Sequence, residues 1–180
     1  MPPWLSHISS AIRKEKNTNS SRWVQLATVD SNNSPRVRTV VFRGWSDSYE
    51  MKILTDKRSQ KYHELESNSN VEICWLFPKS KCQFRLSGIS RTDFGTDTLC
   101  HWEKLNNKAK LMWSWPVPGN LYNNNKKDNL IATNNLEKSD NFILLKIDIS
   151  NVEQLILSKP IHIRRRWIRK NNWLEERINP

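Results

Sequence analysis

Glycine is scarce in this sequence, which argues against a large group of nucleotide-binding proteins. The 180-residue chain has four glycines, and neither G-x-G-x-x-G nor G-x-x-x-x-G-K-[ST] occurs in it. Both fingerprints use glycine so that the backbone can approach phosphate groups closely. We therefore do not expect a glycine-rich nucleotide loop in this protein.

Cysteine pairs, metal-ligand motifs and long apolar runs are also missing. Cys74, Cys82 and Cys100 are odd in number and form no C-x-x-C pair, which argues against a disulfide framework or a zinc site. No H-E-x-x-H motif occurs, no stretch approaches 18 apolar residues, and the N-terminus lacks the apolar centre of a signal peptide. We expect a single soluble, cytoplasmic domain over residues 1–180, with no metal and no membrane partner.

An excess of basic residues raises the question of nucleic-acid binding. Lysine and arginine number 29 against 18 acidic residues, so the net charge is +11. The densest basic cluster lies at 159–170, and Trp167 and Trp173 lie in or beside it, where aromatic rings could stack on bases. The alternative is a basic surface with a pocket for an anionic ligand. We favour it because the basic residues are spread over several predicted elements.

Hydrophobic periodicity predicts a mainly β protein. Strands are predicted over 23–29, 35–45, 49–55, 71–77, 81–92, 142–149, 152–157 and 161–168, and helices over 2–16, 58–66 and 93–110. Residues 120–140 are polar and are expected to be mobile. In the third helix the expected buried residues are Phe94, Leu99, Trp102 and Leu105. Hairpin spacing favours antiparallel neighbours, so the predicted fold is a small β-barrel with flanking helices.

Two nearby stretches, residues 34–44 and 53–61, carry the side chains of a phosphate site. An arginine fork donates two hydrogen bonds at once, hydroxyl groups add short donors, and lysine adds a point charge. A helix start adds free backbone N–H groups. The stretches combine these groups in one β–β–α unit, although the second stretch alone is also typical of a solvated helix start. The residues concerned are Arg38, Arg43, Thr55, Arg58, Ser59 and Lys61.

Strand alternation places Arg38 and Arg43 on opposite faces of the predicted second strand. Both can serve one ligand only if the ligand crosses a strand end, if a bulge intervenes, or if two subunits share the ligand. Gln83 lies on a strand whose other face is apolar, so its amide could hydrogen-bond the edge of a heteroaromatic ring. A plain exposed polar residue is the alternative for Gln83.

Four motifs of this chain resemble those of the pyridoxamine 5′-phosphate oxidase-like family of FMN-binding split barrels. Arg38-Thr-Val-Val-Phe-Arg43 is similar to the family's Arg-x-Val-Leu-Leu-Lys strand. Leu54-Thr-Asp-Lys-Arg-Ser-Gln-Lys61 is similar to its Tyr-Thr-Asn-x-x-Ser-Arg-Lys phosphate segment. Gln83 falls where the family has a glutamine near the flavin ring, and residues 173–180 are similar to the terminal Trp-x-x-x-Arg-Leu-x-Pro. The resemblance covers nearly the whole chain and is closest to the short subfamily of FMN-binding, oxidase-like proteins.

This resemblance implies a homodimer with FMN at the subunit interface and hydride transfer at flavin N5. Arg58 would replace the family arginine that precedes the lysine, because this chain has Gln60 there. Arg166 would take the place of a late flavin-binding arginine, and Gln83 would contact the isoalloxazine ring. The cofactor-binding residues implied are Arg38, Thr39, Val40, Val41, Arg43, Leu54, Thr55, Arg58, Ser59, Lys61, Gln83 and Arg166.

The chain departs from the family at the positions that hold the vitamin-B6 substrate. We therefore expect an FMN-dependent oxidoreductase of unknown substrate, for which no catalytic residue can be named, rather than a pyridoxamine-phosphate oxidase. A non-catalytic flavin carrier or sensor is the alternative, and a nucleic-acid-binding barrel is less favoured. The substrate-site departures are His101, Leu105 and Ala109 in place of Tyr, Arg and Ser, and His162-Ile-Arg164 in place of Arg-Leu-His. Beside the flavin, the resemblance implies Leu155 or Ile156 in place of a flavin-facing Trp and Arg43 in place of Lys.

Overall fold

A computed structural model describes residues 1–16, 18–122 and 137–180. Most of the polar segment predicted at 120–140 therefore lies outside the described residues. No helix in the described ranges is long and apolar enough to cross a membrane. The helices are α1 (Trp4–Lys14), α2 (Gln60–Ser67), α3 (Thr96–Glu103) and α4 (Asn107–Leu111), with short 3-10 turns at Asn19–Arg22, Met112–Ser114 and Arg169–Asn171. The strands are β1 (Trp23–Val29), β2 (Pro35–Trp45), β3 (Met51–Asp56), β4 (Asn70–Phe77), β5 (Cys82–Asp93), β6 (Phe142–Ile156), β7 (Ile163–Ile168) and β8 (Glu175–Ile178).

The strands form one antiparallel sheet that closes on itself. Its order is β3-β2-β1-β4-β5-β6-β7-β8, and β3 also pairs with β6, so that six strands form a closed barrel. β7 and β8 extend the sheet beyond the barrel. This confirms the prediction of a mainly β barrel with flanking helices.

The barrel core is filled by the inward half of each alternating strand. In β4 and β5 the buried positions alternate along the chain, as the sequence predicts for half-buried strands. Trp75, Phe77 and Phe84 are fully buried there, and their rings contact one another. α1 packs its apolar stripe on this core, and the Trp4 ring meets Trp45 edge-on at 5.3 Å between ring centroids.

One predicted helix is divided, two predicted strands are continuous, and one strand was not predicted. The helix predicted at 93–110 is two short helices, since α3 ends at Glu103 and Asn106 caps α4 by accepting the Ala109 N–H at 2.8 Å. Phe94 is 79% exposed and Leu99 46% exposed, so only Trp102 of the predicted set is fully buried. The strands predicted at 142–149 and 152–157 are one strand, and β8 was not predicted.

The long β6 strand stays paired with β5 because one extra residue is accommodated as a bulge. Ser87 pairs with Asn151 and Gly88 pairs with Ile149, so Ser150 has no partner in the ladder. At this point the two backbones approach closely. A Cβ at Gly88 would lie 2.5 Å from the Asp148 carbonyl oxygen.

The Gly88→Ala variant is therefore expected to be destabilised by about 1–3 kcal/mol, because a backbone carbonyl must shift to admit the methyl group. Gly95→Ala is the matched control, since its Cβ would have no contact closer than 3.8 Å, and it should cost less than about 1 kcal/mol. Urea denaturation of both variants measures the difference. Equal losses in the two variants would contradict the close approach at Gly88.

Candidate functional site

Arg38 and Thr55 point into the same end of the barrel. Arg38 lies opposite the fully buried Leu26 in the β1–β2 ladder, on the inward face of β2. Thr55 is an inward residue at the end of β3 and is buried. Extending the pairing of Phe42 with Ile53 places Arg38 beside the turn that follows β3. Strand pairing thus joins the two predicted phosphate stretches at the barrel end.

The turn into α2 presents two hydroxyl groups and a free helix start. Thr55 Oγ1 and Ser59 Oγ lie 3.3 Å apart, and Ser59 Oγ donates to the Asp56 carbonyl oxygen at 2.6 Å. Ser59 is the N-cap residue of α2 but makes no side-chain cap hydrogen bond. The first N–H groups of a helix have no intrahelical acceptor, so this helix start can donate to an anion.

Lys61 adds a cation without a counter-ion in direct contact. It lies in the first turn of α2, is half-buried, and has no hydrogen bond or ion pair with any of the described residues. Burial, then the nearby charge of Arg38, lowers the pKa of its ammonium group, whereas Asp56 and Glu64 act in the opposite direction. Two like charges, Arg38 and Lys61, are therefore held close together at the end of the barrel.

Two buried residues, Thr28 and Glu64, accept hydrogen bonds from the guanidinium of Arg38. Its Nη2 donates to Glu64 Oε2 at 2.7 Å, and its Nη1 donates to the hydroxyl of Thr28. The Thr28 hydroxyl in turn donates to Glu64 Oε2 at 2.5 Å. Sequence reasoning missed both partners, although Glu64 follows Lys61 by three residues and so lies on the same helix face.

Arg58 makes most of its hydrogen bonds within the protein. Its Nε and Nη2 donate to the two carboxylate oxygens of Asp56 at 3.0 and 2.7 Å. Its Nη1 donates to the Trp115 carbonyl oxygen at 2.9 Å, and Nη2 also reaches that of Trp113 at 3.3 Å. Four of the five guanidinium N–H groups are thus engaged. Arg58 thus anchors the segment that carries Trp113 and Trp115, here called the aromatic loop, beside the α2 turn. Its predicted part in flavin binding stays a prediction.

Arg43 lies on the outside of the barrel, as alternation predicts. A one-residue bulge follows Phe42, because Phe42 pairs with Ile53 and Trp45 with Met51. Arg43 is exposed, and desolvation of its guanidinium followed by the charge of Arg22 lowers its pKa. The bulge does not bring Arg43 to the partners of Arg38 within one chain.

His101 faces a group of cations on the same outer side. Burial is the largest cause that lowers the pKa of its imidazole, followed by the charges of Lys52 and Lys104, with a smaller contribution from Arg43. The neutral imidazole is therefore favoured. Because the chain breaks between α3 and α4, His101, Leu105 and Ala109 do not lie along one continuous helix.

Gln83 lines a separate outer pocket of about 130 Å³. The other lining residues are Arg85, Glu153, Leu155 and Arg164. Arg164 donates to Glu153 Oε2 at 2.6 Å through Nη2. Sequence reasoning did not identify Arg85 or Glu153, which lie opposite each other in the β5–β6 ladder.

The remaining predicted cofactor-binding residues are divided between several surfaces. Arg166, on β7, donates to Glu176 Oε2 through Nε and Nη2 at 3.0 and 2.6 Å. Val40 is buried in the core, and Thr39 is exposed on the outer face of β2. Val41 and Leu54 are half-buried on β2 and β3.

Several arginines of the basic C-terminal cluster are paired with acidic residues, and the Trp167 ring is not exposed for stacking on a base. Arg165 pairs with Glu175 at 3.5 Å, and Arg169 pairs with Asp148. Trp167 is fully buried, and Trp173 packs edge-on against Trp4 at 5.8 Å. This arrangement removes the stacking platform on which the nucleic-acid hypothesis depends.

Known proteins share both the sequence pattern and the fold. Residues 1–92, half of the chain, match the family "Pyridoxamine 5'-phosphate oxidase, FMN-binding domain". A protein of Arabidopsis thaliana named pyridoxine/pyridoxamine 5'-phosphate oxidase 2 is 34% identical over 130 residues, which are 67% of this chain and 66% of that protein. The match thus spans just under two thirds of that relative.

Two crystal structures extend the similarity to the full chain. A pyridoxamine 5'-phosphate oxidase-related, FMN-binding protein of Nostoc punctiforme has a TM-score of 0.88 and 31% identity, and the match covers 100% of this chain and 99% of that one. PhzG of Burkholderia lata, in complex with tetrahydrophenazine-1-carboxylic acid, has a TM-score of 0.85 at 18% identity, over 99% and 92% of the two chains, and shares the fold. The six-stranded barrel, the phosphate-type donors at its end and these matches together show that the chain belongs to the pyridoxamine 5'-phosphate oxidase-like family of FMN-binding split barrels.

Proposed function

We propose that this protein binds FMN and uses it as a flavin-dependent oxidoreductase. The observation that carries the proposal is the set of donors at the barrel end, where Arg38, Lys61, Thr55 and Ser59 converge on an uncapped helix start. A terminal phosphate carries up to two negative charges and several acceptor oxygens, so the donor set fits it in both charge and hydrogen bonding.

FMN, when bound, supplies the electron or hydride transfer of its isoalloxazine ring, and the chain supplies binding, orientation and electrostatics. Arg38 and Lys61 would hold the phosphate, with the two hydroxyl groups as further donors. Gln83, in the outer pocket, would donate to or accept from the polar edge of the ring. This division of roles requires the phosphate and the ring to be held by different regions of the fold.

We further propose that the working form is a homodimer with FMN shared between subunits. β2 and β5 are separated by β1 and β4, which is three strand spacings or about 14 Å in the plane of the sheet. Arg38 faces the barrel interior, whereas Gln83 faces outward. A second chain packed on the outer sheet face would bring its own Gln83 pocket towards the phosphate site of the first chain.

The outer face of β1, β2, β4 and β5 has the character of such an interface. It carries four large apolar residues that are each more than half exposed, and exposed apolar patches mark protein–protein interaction sites. They are Trp23, Val37, Leu76 and Ile89.

Pyridoxamine 5'-phosphate is the first substrate to test, because the Arabidopsis relative is named for its oxidation. The substrate-phosphate positions of the family are nevertheless changed here to His101, Leu105 and Ala109. We therefore expect turnover of a different substrate, with His101 and Arg43 among the polar groups nearest to it.

The experiment that tests the proposal is a visible absorbance spectrum of the purified protein, taken before and after addition of FMN and desalting. We expect flavin bands that remain with the protein. A protein that stays colourless and retains no added FMN would overturn the proposal. If FMN is retained, reduction by NAD(P)H or turnover of a substrate separates an oxidoreductase from a non-catalytic flavin carrier.

A further inference from the structure

Glu64 is a buried carboxylate at the end of the barrel that the proposed function does not use. It lies in the second turn of α2 and is 8% exposed. Oε2 accepts hydrogen bonds from both Arg38 Nη2 at 2.7 Å and Thr28 Oγ1 at 2.5 Å. Thr28 is 2% exposed and also accepts from Arg38, so the three side chains form a closed ring of hydrogen bonds.

This ring restricts the guanidinium of Arg38. A free arginine side chain has several rotatable bonds, and fixing it costs up to about 2 kcal/mol of conformational entropy. Here Nη1 and Nη2 are held by buried residues on two different elements, β1 and α2. The cost of ordering Arg38 is therefore met during folding, before any ligand binds.

The ring also leaves part of Arg38 free to donate. Glu64 and Thr28 take one N–H of Nη2 and one of Nη1, and the Arg36 carbonyl oxygen lies at 3.5 Å from Nη1. The Nε–H and the second N–H of Nη2 have no acceptor in the part of the chain that the structure describes. An arginine fork carries five N–H groups, so two remain for an anion.

The local charge balance still favours an anion. Arg38 and Lys61 contribute two positive charges, and Glu64 contributes one negative charge placed behind Arg38. The surplus of one positive charge, together with the helix start, remains on the side of Thr55 and Ser59. Glu64 therefore does not neutralise the site.

We propose that Glu64, through Thr28, is a positioning residue that aims the guanidinium of Arg38 at the phosphate of FMN. This inference rests on the proposed FMN binding. It predicts that Glu64 acts through the reach of its carboxylate oxygen rather than through its charge. It also predicts that moving the Glu64 carboxylate weakens the binding of FMN, which has a phosphate, but not of riboflavin, which has the same ring system without a phosphate.

The reach and the charge of Glu64 can be separated by two substitutions. Glu64→Gln keeps the length and one acceptor oxygen but removes the charge, whereas Glu64→Asp keeps the charge but withdraws the carboxylate by one methylene group. Both substitutions are small, and thermal unfolding of each variant reports whether the fold is kept. Glu66→Gln and Glu66→Asp are the matched controls, because Glu66 lies on the same helix but its side chain is 55% exposed and pairs only with His63.

The measurement is the dissociation constant of FMN and of riboflavin for each protein, from quenching of flavin fluorescence. For Glu64→Asp we expect FMN affinity to fall at least 10-fold while riboflavin affinity changes less than about 3-fold. For Glu64→Gln we expect an FMN-to-riboflavin affinity ratio within about 3-fold of the wild type, because the amide keeps an acceptor oxygen for Arg38 and Thr28. For both Glu66 variants we expect the same, because exposed ion pairs contribute little.

Each other outcome decides against the inference. A wild-type FMN-to-riboflavin affinity ratio in Glu64→Asp would show that the position of the carboxylate does not affect phosphate binding. A reduced ratio in Glu64→Gln would show that the charge of Glu64 is required. Equal loss of FMN and riboflavin affinity would assign Glu64 a structural role. Wild-type protein that binds neither flavin would overturn the proposed function itself, and wild-type binding with unaltered variants would overturn only the role of Glu64.

Discussion

The Arg38→Ala variant is expected to lose FMN during desalting, with a dissociation constant raised about 10- to 150-fold. Arg38 lies at the barrel end near Lys61 and keeps two N–H groups without an acceptor among the described residues, whereas four of the five N–H groups of Arg58 in the neighbouring turn are engaged. A charge-assisted hydrogen bond contributes about 1.5–3 kcal/mol, which corresponds to that range of affinity. Fluorescence titration with FMN, followed by a desalting column and an absorbance spectrum, measures the effect.

Arg36→Ala is the matched control for this prediction. Arg36 lies two residues earlier on the same face of β2, but it is exposed and pairs with Asp30 at 2.8 Å, at the hairpin end. Its removal should change FMN affinity less than about 3-fold, since exposed ion pairs contribute little. Retention of FMN by Arg38→Ala, or equal losses in the two variants, would show that Arg38 does not hold the phosphate.

Removal of Arg38 also leaves Glu64 buried without its cation, which is a cost to folding. Arg38→Lys therefore provides a second variant that keeps a positive charge but lacks the planar fork. We expect it to fold and to bind FMN with intermediate affinity, because the donors of lysine sit on one nitrogen and lack the planar fork that contacts Thr28 and Glu64 through separate nitrogens.

The Leu76→Glu variant is expected to be monomeric at micromolar concentration, where we expect the wild type to be a dimer. Leu76 is an exposed apolar residue of this face, opposite Gln83 near the hairpin end of the β4–β5 ladder. In a twofold-symmetric dimer each substitution occurs twice, and burying two unpaired carboxylates should raise the dissociation constant at least about 100-fold. Sedimentation velocity measures the change in mass.

Phe94→Glu is the control for the dimer prediction. Phe94 is 79% exposed but follows the far end of β5, eleven residues beyond Gln83. This variant should remain dimeric. If Leu76→Glu both becomes monomeric and loses FMN, binding of the cofactor requires both chains. If Leu76→Glu stays dimeric, the sheet face is not the interface.

The hydrophobic pattern of the sequence was sufficient to predict those elements in which buried and exposed side chains alternate regularly. The bounds of β1 and β2 agree with the predicted 23–29 and 35–45, because the side chains of a strand alternate between the core and the outside wherever its partner lies. The amphipathic α1 was equally clear. The phosphate stretch was recognisable because its donors lie within seven consecutive residues, 55–61.

Tertiary structure decided how those donors are used. Arg38 and Glu64 are 26 residues apart, and Arg58 and the Trp115 carbonyl oxygen are 57 residues apart. The hydrophobic periodicity of one segment cannot predict such pairs. They form only when the closed barrel brings β2 close to α2 and the α2 turn close to the aromatic loop. The sequence thus determined which side chains were available for phosphate binding. The fold decided that two N–H groups of Arg38 have no acceptor among the described residues, while four N–H groups of Arg58 are engaged within the chain, because each guanidinium donates to the acceptors that the folded chain places within reach.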